Sequence, residues 1–157
     1  MTKKIFTLFA FLLLLSCSNS EPITPPVAVD YTAKNEQEIK DYLTKNNITT
    51  AQRSNSGLYY IITEPGTGTQ PTSTSNVTVV YKGYFTNGTV FDQSKAEGIT
   101  IGLNQVIKGW TEGIPYFKTG GSGILLVPAH LGYGSFDYGP IPGGSVLLFD
   151  IKLVSVN

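Results

Sequence analysis

Short runs of alternating apolar and polar residues dominate the chain from residue 58 onward and predict β-strands. The run at residues 77–85 is rich in β-branched and aromatic side chains. Asn87-Gly88 follows it, a pair that is typical of a tight hairpin turn. The other predicted strands lie at residues 58–63, 89–92, 99–103, 123–127 and 145–156.

One helical segment interrupts these strands at residues 104–113, with the sequence NQVIKGWTEG. It contains the only tryptophan, Trp110, together with Val106 and Ile107. Asn104 is predicted to cap the helix, because an Asn side chain can accept hydrogen bonds from the first turn. A short apolar helix of this kind fills the mouth of a curved sheet, either as a core plug or as the floor of a binding site. The segment alone leaves both interpretations open.

A second helix is predicted upstream, at residues 35–46. Ile39, Tyr42 and Leu43 recur at helical spacing, and Lys45 lies near the end, as the helix dipole favours. This helix packs on its own domain, on nothing or on a partner, and we assign it no chemistry. The complete pattern predicts an α+β domain in which an antiparallel sheet of five to six strands wraps around the short internal helix.

Composition and charge narrow the classes of function. At 157 residues, the chain suits one compact domain with a short extension. Charged residues make up 14% and the formal net charge is zero, so no basic surface indicates nucleic acid as a partner.

The first residues form a targeting pattern. Lys3 and Lys4 precede an apolar run at residues 5–15, which is too short to span a bilayer comfortably but suits a signal peptide. The run ends at Ser16-Cys17, and Cys17 is the only cysteine. This boundary resembles a bacterial lipobox, whose cysteine is acylated; the alternative is an ordinary signal peptide with an incidental cysteine. We therefore expect an exported protein that a lipid on Cys17 anchors to the membrane of the cell envelope, on the periplasmic or outer-membrane face.

Four parts are predicted along the chain. A lipoprotein signal peptide occupies residues 1–16, and the lipidated cysteine with a flexible, proline-containing tether occupies residues 17–34. The amphipathic helix and a linker occupy residues 35–56, and the folded domain occupies residues 57–157.

The inventory of reactive side chains argues against several classes of enzyme. His130 is the only histidine and has no second ligand of its kind, so we expect no metal site. No nucleophile elbow, phosphate-binding loop or dinucleotide motif occurs in the sequence, so we expect no cofactor. The spacing of His130 from Ser122 and Ser135 does not support a catalytic triad.

Aromatic side chains with a few polar groups remain, as in a mainly apolar binding pocket. Asp92 follows Phe91 directly after the predicted hairpin, and a carboxylate beside an aromatic ring needs a hydrogen-bond donor. Tyr81 on the neighbouring strand can supply its hydroxyl, although Asp92 can instead satisfy a nearby turn. The predicted pocket residues are Tyr81, Phe91, Asp92, Trp110, Tyr133 and Phe149.

Four segments in this order resemble the FKBP family of peptidyl-prolyl cis–trans isomerases: VVYKGYFTNGTVFDQS, LNQVIKGWTEGIPYFKTGG, LVPAHLGYG and IPGGSVLLFDIKLVSV. The resemblance covers residues 57–156. It differs from the family pattern at residues 96–98, where an aromatic residue is frequent, at Leu131, where a tyrosine is frequent, and in the late loop at residues 135–144.

The resemblance implies an antiparallel half-barrel around one short helix, with the substrate pocket between them. Trp110 is then expected to lie beneath the proline ring of the substrate, and Tyr81 to orient Asp92. The Ile107 N–H and the Tyr133 hydroxyl are expected to hold substrate carbonyls. The walls and rim are expected to be formed by Phe91, Val106, Phe149 and Ile141.

The resemblance also implies the partners. We expect proline-containing polypeptide clients, macrolide inhibitors as ligands, and a monomer. Two alternatives stay open: a module that binds proline-containing segments with little catalysis, and a structural subunit of the cell envelope that docks through the helix at residues 35–46.

Overall fold

The computed structural model describes residues 27–157, which form one antiparallel sheet with a helix on each face. The helices are α1 (Thr32–Lys45) and α2 (Lys108–Gly113). The strands are β1 (Gln52–Arg53), β2 (Tyr59–Glu64), β3 (Asn76–Phe85), β4 (Val90–Gln93), β5 (Ile99–Gly102), β6 (Ser122–Val127) and β7 (Leu147–Val156). Single 3-10 turns lie at Leu103–Gln105, Ile114–Tyr116 and Ala129–Leu131.

The sheet has the strand order β1-β2-β6-β7-β3-β4, and β5 pairs with the same edge of β3 as β4 does. Strand β3 is therefore central: it pairs with β7 along nearly its whole length, and its other edge is shared between β5 and β4. These pairs confirm the predicted antiparallel sheet around a short helix. The two-residue strand β1 was not predicted, because Gln52 and Arg53 are polar and show no alternation.

Alternation along the strands separates two hydrophobic cores. The face on which α2 packs, here the inner face, carries Leu125, Leu147 and Phe149. The opposite face, here the outer face, carries Leu126 and Leu148 and is covered by α1. Successive side chains of a strand point to opposite faces, so neighbouring residues of β6 and β7 serve different cores.

Helix α1 begins at Thr32, whereas the sequence pattern placed its start at residue 35. Residues 32–34 of the predicted tether therefore belong to the helix. Its Ile39 is completely buried in the outer core. The helix thus packs on its own domain, which the amphipathic pattern alone did not decide.

Helix α2 begins at Lys108, and the prediction that Asn104 caps it is wrong. Asn104 lies in the preceding 3-10 turn, and Val106 has an extended backbone with φ −115° and ψ 178°, so the helix cannot continue through it. Ile107 is the N-cap residue instead. The hydroxyl of Thr111 donates to the Leu103 carbonyl at 2.5 Å and ties the helix to this turn.

None of the helices within residues 27–157 combines the length and apolarity that a bilayer crossing needs. The predicted signal peptide and Cys17 lie outside the described residues.

Candidate functional site

The inner core is open at one end, where a cavity of about 440 Å³ lies between the β3–β4 hairpin, the start of α2 and the loop after β6. A volume of this size is in the range of small-ligand pockets. The cavity is lined by Tyr81, Phe91, Asp92, Ile99, Ile101, Gln105, Val106, Ile107, Trp110, Tyr133, Tyr138 and Phe149. A wider groove of about 710 Å³ lies between α1 and the β3–β4 turn, but its lining is mainly charged and amide side chains, among them Lys34, Glu38 and Asp41. The aromatic cavity is therefore the better binding site.

Trp110 contributes the largest ring in the cavity and is only 5% exposed. Its indole meets the rings of Tyr81 and Phe149 edge to face, with centroid distances of 5.0 and 5.2 Å. The residue before it, Gly109, lets α2 approach β6 closely, since a Cβ there would lie 2.5 Å from Val127. The depth of the indole is thus set by the contact between α2 and β6.

The Trp110 indole N–H is the one buried side-chain nitrogen or oxygen in residues 27–157 without a hydrogen-bond partner. Such a donor destabilises the fold by roughly 1–3 kcal/mol, and native proteins contain few of them. Its occurrence at the cavity is consistent with a functional site.

Two further rings form one wall of the cavity. Phe91 on β4 meets Phe149 on β7 edge to face, with 5.7 Å between centroids. Gly83 of strand β3 lies between the strands that carry these rings, and a Cβ at this position would lie 2.7 Å from the Phe91 ring. A side chain at this position would displace the wall.

The polar edge of the cavity is a tyrosine–aspartate pair. The Tyr81 hydroxyl donates to Asp92 Oδ2 at 2.5 Å, and the Gln93 N–H donates to Asp92 Oδ1 at 2.9 Å. Burial raises the pKa of Tyr81, and the hydrogen bond to Asp92 raises it further, because an ionised phenol would face a carboxylate. Tyr81 is therefore a neutral donor at physiological pH.

Tyr133 lies at the cavity mouth and is 38% exposed. Its ring stacks on Tyr138 with 4.5 Å between centroids and an interplanar angle of 15°. Burial raises the pKa of Tyr133, and Tyr138 and Asp92 contribute to the same shift, so its hydroxyl stays protonated and able to donate.

Ile107 brings a backbone donor to the cavity. Its carbonyl accepts the N–H groups of Trp110 and Thr111 at 2.9 and 3.1 Å. The N–H of an N-cap residue lies outside the helical hydrogen-bond pattern, so no hydrogen bond within α2 uses this donor.

The residue pattern and the family resemblance together predict nine site residues, and the structure gathers eight of them around one cavity; Ile141 is the exception. These eight are Tyr81, Phe91, Asp92, Val106, Ile107, Trp110, Tyr133 and Phe149. Ile141 is 5% exposed and does not line the cavity. It exchanges backbone hydrogen bonds with Tyr138, at 2.8 and 3.0 Å, and so supports a residue that does. The functional roles of all nine stay predictions.

Four lining residues were missed from the sequence: Ile99, Ile101, Gln105 and Tyr138. Alternation on the predicted strand at residues 99–103 could have identified the two isoleucines, because residues two apart share a face. Tyr138 carried no periodic signal, because it lies in an irregular loop. Residues 96–98, where the family often has a pocket aromatic, do not line the cavity, and Glu97 is exposed.

Comparison with known proteins agrees with the fold. The family model of the FKBP-type peptidyl-prolyl cis-trans isomerase matches residues 67–154. The chain belongs to this family, which confirms the resemblance seen in its sequence.

Relatives and solved structures are similar over most of the described domain. The chain is 43% identical over 127 residues to the probable FKBP-type peptidyl-prolyl cis-trans isomerase FkpA of Neisseria meningitidis. The aligned region covers 79% of this chain and 46% of the relative. It is 36% identical over 132 residues to FkpA of Escherichia coli, and this aligned region covers 83% of this chain and 48% of that relative. The chain therefore spans about half the length of the curated relatives that it matches.

The crystal structure of Escherichia coli FkpA has a TM-score of 0.72 and 37% identity, covering 80% of this chain and 61% of that one. A peptidyl-prolyl cis-trans isomerase from Pseudomonas syringae has a TM-score of 0.70 and 27% identity, covering 84% of this chain and 99% of that one. These likenesses agree with the antiparallel sheet and short helix described above.

Proposed function

We propose that this protein catalyses cis–trans rotation of X–Pro bonds by binding the twisted amide in the aromatic cavity. The observation that carries the proposal is the combination of an apolar cavity above Trp110 with neutral donors at its mouth. Rotation breaks no covalent bond, and its barrier of about 18–20 kcal/mol is lost amide resonance. The reaction therefore needs a shaped binding site and no nucleophile.

The cavity would lower this barrier by differential binding. A twisted amide has a less charge-separated carbonyl than a planar one, so an apolar site accommodates it better. Each ~1.4 kcal/mol of preference for the twisted state gives about a tenfold rate increase. In this proposal Trp110, Phe91 and Phe149 surround the proline ring, and the Ile107 N–H and the Tyr133 hydroxyl hold the flanking carbonyls.

Asp92 is proposed to tune the electrostatic surroundings of the substrate carbonyl, with Tyr81 fixing its orientation. The 2.5 Å hydrogen bond between them supports this pairing. We expect Asp92→Ala and Tyr133→Phe each to lower kcat/KM for a proline-containing model peptide. If both variants isomerise the peptide at the wild-type rate, these polar roles are wrong.

The direct test is a protease-coupled isomerisation assay on the chain from residue 18 onward. We expect acceleration above the uncatalysed rate that disappears when a proline-containing competitor peptide fills the cavity. A rate equal to the uncatalysed one would contradict the proposal.

A binding module is the second candidate, and two exposed rings in the loop at residues 128–144 favour it. Phe136 is 49% exposed and Tyr138 is 62% exposed. Such rings can hold an apolar segment next to the proline without catalysis. Peptide binding in a titration, with no acceleration in the isomerisation assay, would support this candidate over the first.

The proposal that α1 docks the protein to an envelope complex has less support. Its apolar face is used within its own domain, since Ile39 is completely buried. A partner would have to bind the polar face of the helix. Pull-down experiments with and without residues 31–50 would test it.

We further propose that the protein is exported and anchored to the envelope membrane by lipid on Cys17. The pattern at residues 1–17 supports this, and proline isomerisation can limit the folding of exported clients. Incorporation of labelled palmitate, and its loss in Cys17→Ser, would test the anchor.

Macrolide binding and a monomeric state are part of the same proposal. The single tryptophan at the cavity makes fluorescence a direct probe of ligand binding. Sedimentation of the unlipidated chain would measure the oligomeric state.

A further inference from the structure

Asn35 on α1 is the one polar residue that is completely buried within residues 27–157. It lies one helical turn before Ile39, on the side of the molecule opposite to α2. A buried amide needs partners for both its donor and its acceptor. Both partners belong to the loop that carries the cavity mouth.

The side chain of Asn35 joins the two ends of this loop. Its Nδ2 donates to the Gly144 carbonyl at 2.9 Å, and its Oδ1 accepts the Ala129 N–H at 2.8 Å. Ala129 lies two residues after the end of β6, and Gly144 directly precedes Ser145, whose turn leads into β7. The amide group of Asn35 thus bridges the two ends of the loop through one hydrogen bond to each.

These bonds close a ring that includes the neighbour of Tyr133. The Gly134 N–H donates to the Ala129 carbonyl at 2.8 Å, and the Gly144 N–H donates to the Gly134 carbonyl at 2.9 Å. The hydrogen bonds therefore run from Asn35 to Ala129, to Gly134, to Gly144 and back to Asn35. Because Gly134 follows Tyr133 directly, this ring of hydrogen bonds holds the backbone beside a residue that lines the cavity.

Helix α1 is itself anchored, so Asn35 holds the loop relative to the sheet. Glu36 accepts the Tyr59 hydroxyl at 2.8 Å and Arg53 Nε at 3.1 Å. The Tyr31 ring lies directly against Gly144. Several independent contacts thus fix the position of the loop relative to the outer face of the sheet.

We propose that Asn35 is a positioning residue of the isomerase site, which holds the loop at residues 129–144 so that Tyr133 and Tyr138 stay at the cavity mouth. The inference rests on the proposed function. Asn35 contacts no substrate; it acts through the loop. Its loss should therefore weaken the hold on the substrate more than it changes the rotation step.

The test compares Asn35→Ala with two control variants on the same helix. Gln37→Ala changes an exposed amide, and Ile39→Val removes one methylene from the outer core and lowers stability without touching the loop ends. Asn35→Asp keeps the size and the acceptor but places a carboxylate oxygen against the Gly144 carbonyl, so it breaks that contact without leaving an empty volume.

Amide hydrogen exchange and steady-state kinetics are the readouts. In Asn35→Ala, exchange at Gly134 and Gly144 should accelerate at least about tenfold more than at Leu125 and Phe149, which pair in β6 and β7. KM should rise roughly three- to tenfold, which is the size of effect expected when one or two hydrogen bonds are lost. The value of kcat should stay within about twofold of wild type. Asn35→Asp should shift both readouts in the same direction, and the two control variants should leave KM unchanged.

Equal acceleration at loop and sheet amides, together with an unchanged KM, would show that Asn35 only stabilises the fold and would overturn the proposal. If Asn35→Ala does not fold, Asn35→Asp is compared with the controls in its place. If the wild-type chain does not accelerate isomerisation, the proposed function fails by itself. The inference is then decided by loop exchange and by the dissociation constant for a proline-containing peptide, which should rise in the Asn35 variants alone.

Discussion

Helices of very different length pack on the two faces of the sheet, and the aromatic cavity lies on the face with the shorter helix. Helix α1 has 14 residues and α2 has 6, which correspond to about 21 Å and 9 Å of helix. A strand of 10 residues, such as β3 or β7, extends over about 33 Å. The longer helix closes the outer core, whereas the shorter one leaves the end of the inner core open. Both helices are shorter than the strands, and the aromatic site lies beside the shorter one.

A tyrosine–aspartate hydrogen bond occurs on each face, so the two faces can be compared at the same kind of contact. Tyr81 donates to Asp92 at 2.5 Å on the inner face, and Tyr84 donates to Asp150 at 2.9 Å on the outer side. Both tyrosines lie on β3, and only Tyr81 and Asp92 line the cavity. The pair by itself is therefore no sign of catalysis, and its position relative to the cavity decides its use.

The largest expected effect lies on the outer face and concerns stability alone. Ile61→Ala should lower the free energy of unfolding by about 2–5 kcal/mol, because it leaves a hole in the outer core. At a temperature where the variant is folded, its kcat/KM should match wild type. Urea unfolding and the isomerisation assay check this, and a parallel loss of activity would mean that the two faces are not independent.

The matching change on the inner face should act mainly on activity. Trp110→Leu removes the indole from the cavity and should lower kcat/KM at least about tenfold, equivalent to ~1.4 kcal/mol or more. Kinetics at a temperature well below the unfolding midpoint separate this from instability. Wild-type activity in the variant would mean that the floor of the cavity does not contribute to catalysis.

The two tyrosines provide a pair of matched substitutions. Tyr81→Phe and Tyr84→Phe each remove one hydroxyl that donates to a carboxylate and should each destabilise the protein by about 1–3 kcal/mol. Only Tyr81→Phe should lower kcat/KM, by several-fold. Equal kinetic effects would remove the distinction between the cavity pair and its counterpart.

The smallest expected effect is a loss of stability at alkaline pH, to which a tyrosine on each face should contribute. Burial and the hydrogen bonds to Asp92 and Asp150 raise the pKa of Tyr81 and of Tyr84 above the value of about 10 in an unfolded chain. The unfolded state then loses these protons first, so stability should be intact below pH ~10 and should decline as pH rises above it. Urea unfolding between pH 8 and 11 measures the decline, which should be smaller in a Tyr81→Phe/Tyr84→Phe double variant. A decline as steep as in wild type would mean that other groups cause it.

Much of the site could be predicted because its residues lie on elements with clear patterns. Tyr81, Phe91, Asp92 and Phe149 belong to strands whose alternation and hairpin turn are visible in the sequence. Tyr138 and Asn35 could not be predicted in the same way. Tyr138 lies in an irregular loop, and Asn35 reads as an ordinary polar residue of a helix until its partners, 94 and 109 residues away in the chain, are known.

The sequence by itself determined the family, the strand order along the chain and most of the pocket residues, because local periodicity and short ordered motifs encode them. The tertiary structure decided which helix packs on which face, where the cavity remains open and that Ile141 pairs with Tyr138 without lining the cavity. It also decided that α1 packs on its own domain and connects to the cavity loop through Asn35. These properties depend on helix length against strand length and on contacts between residues far apart in the chain, which no local pattern records.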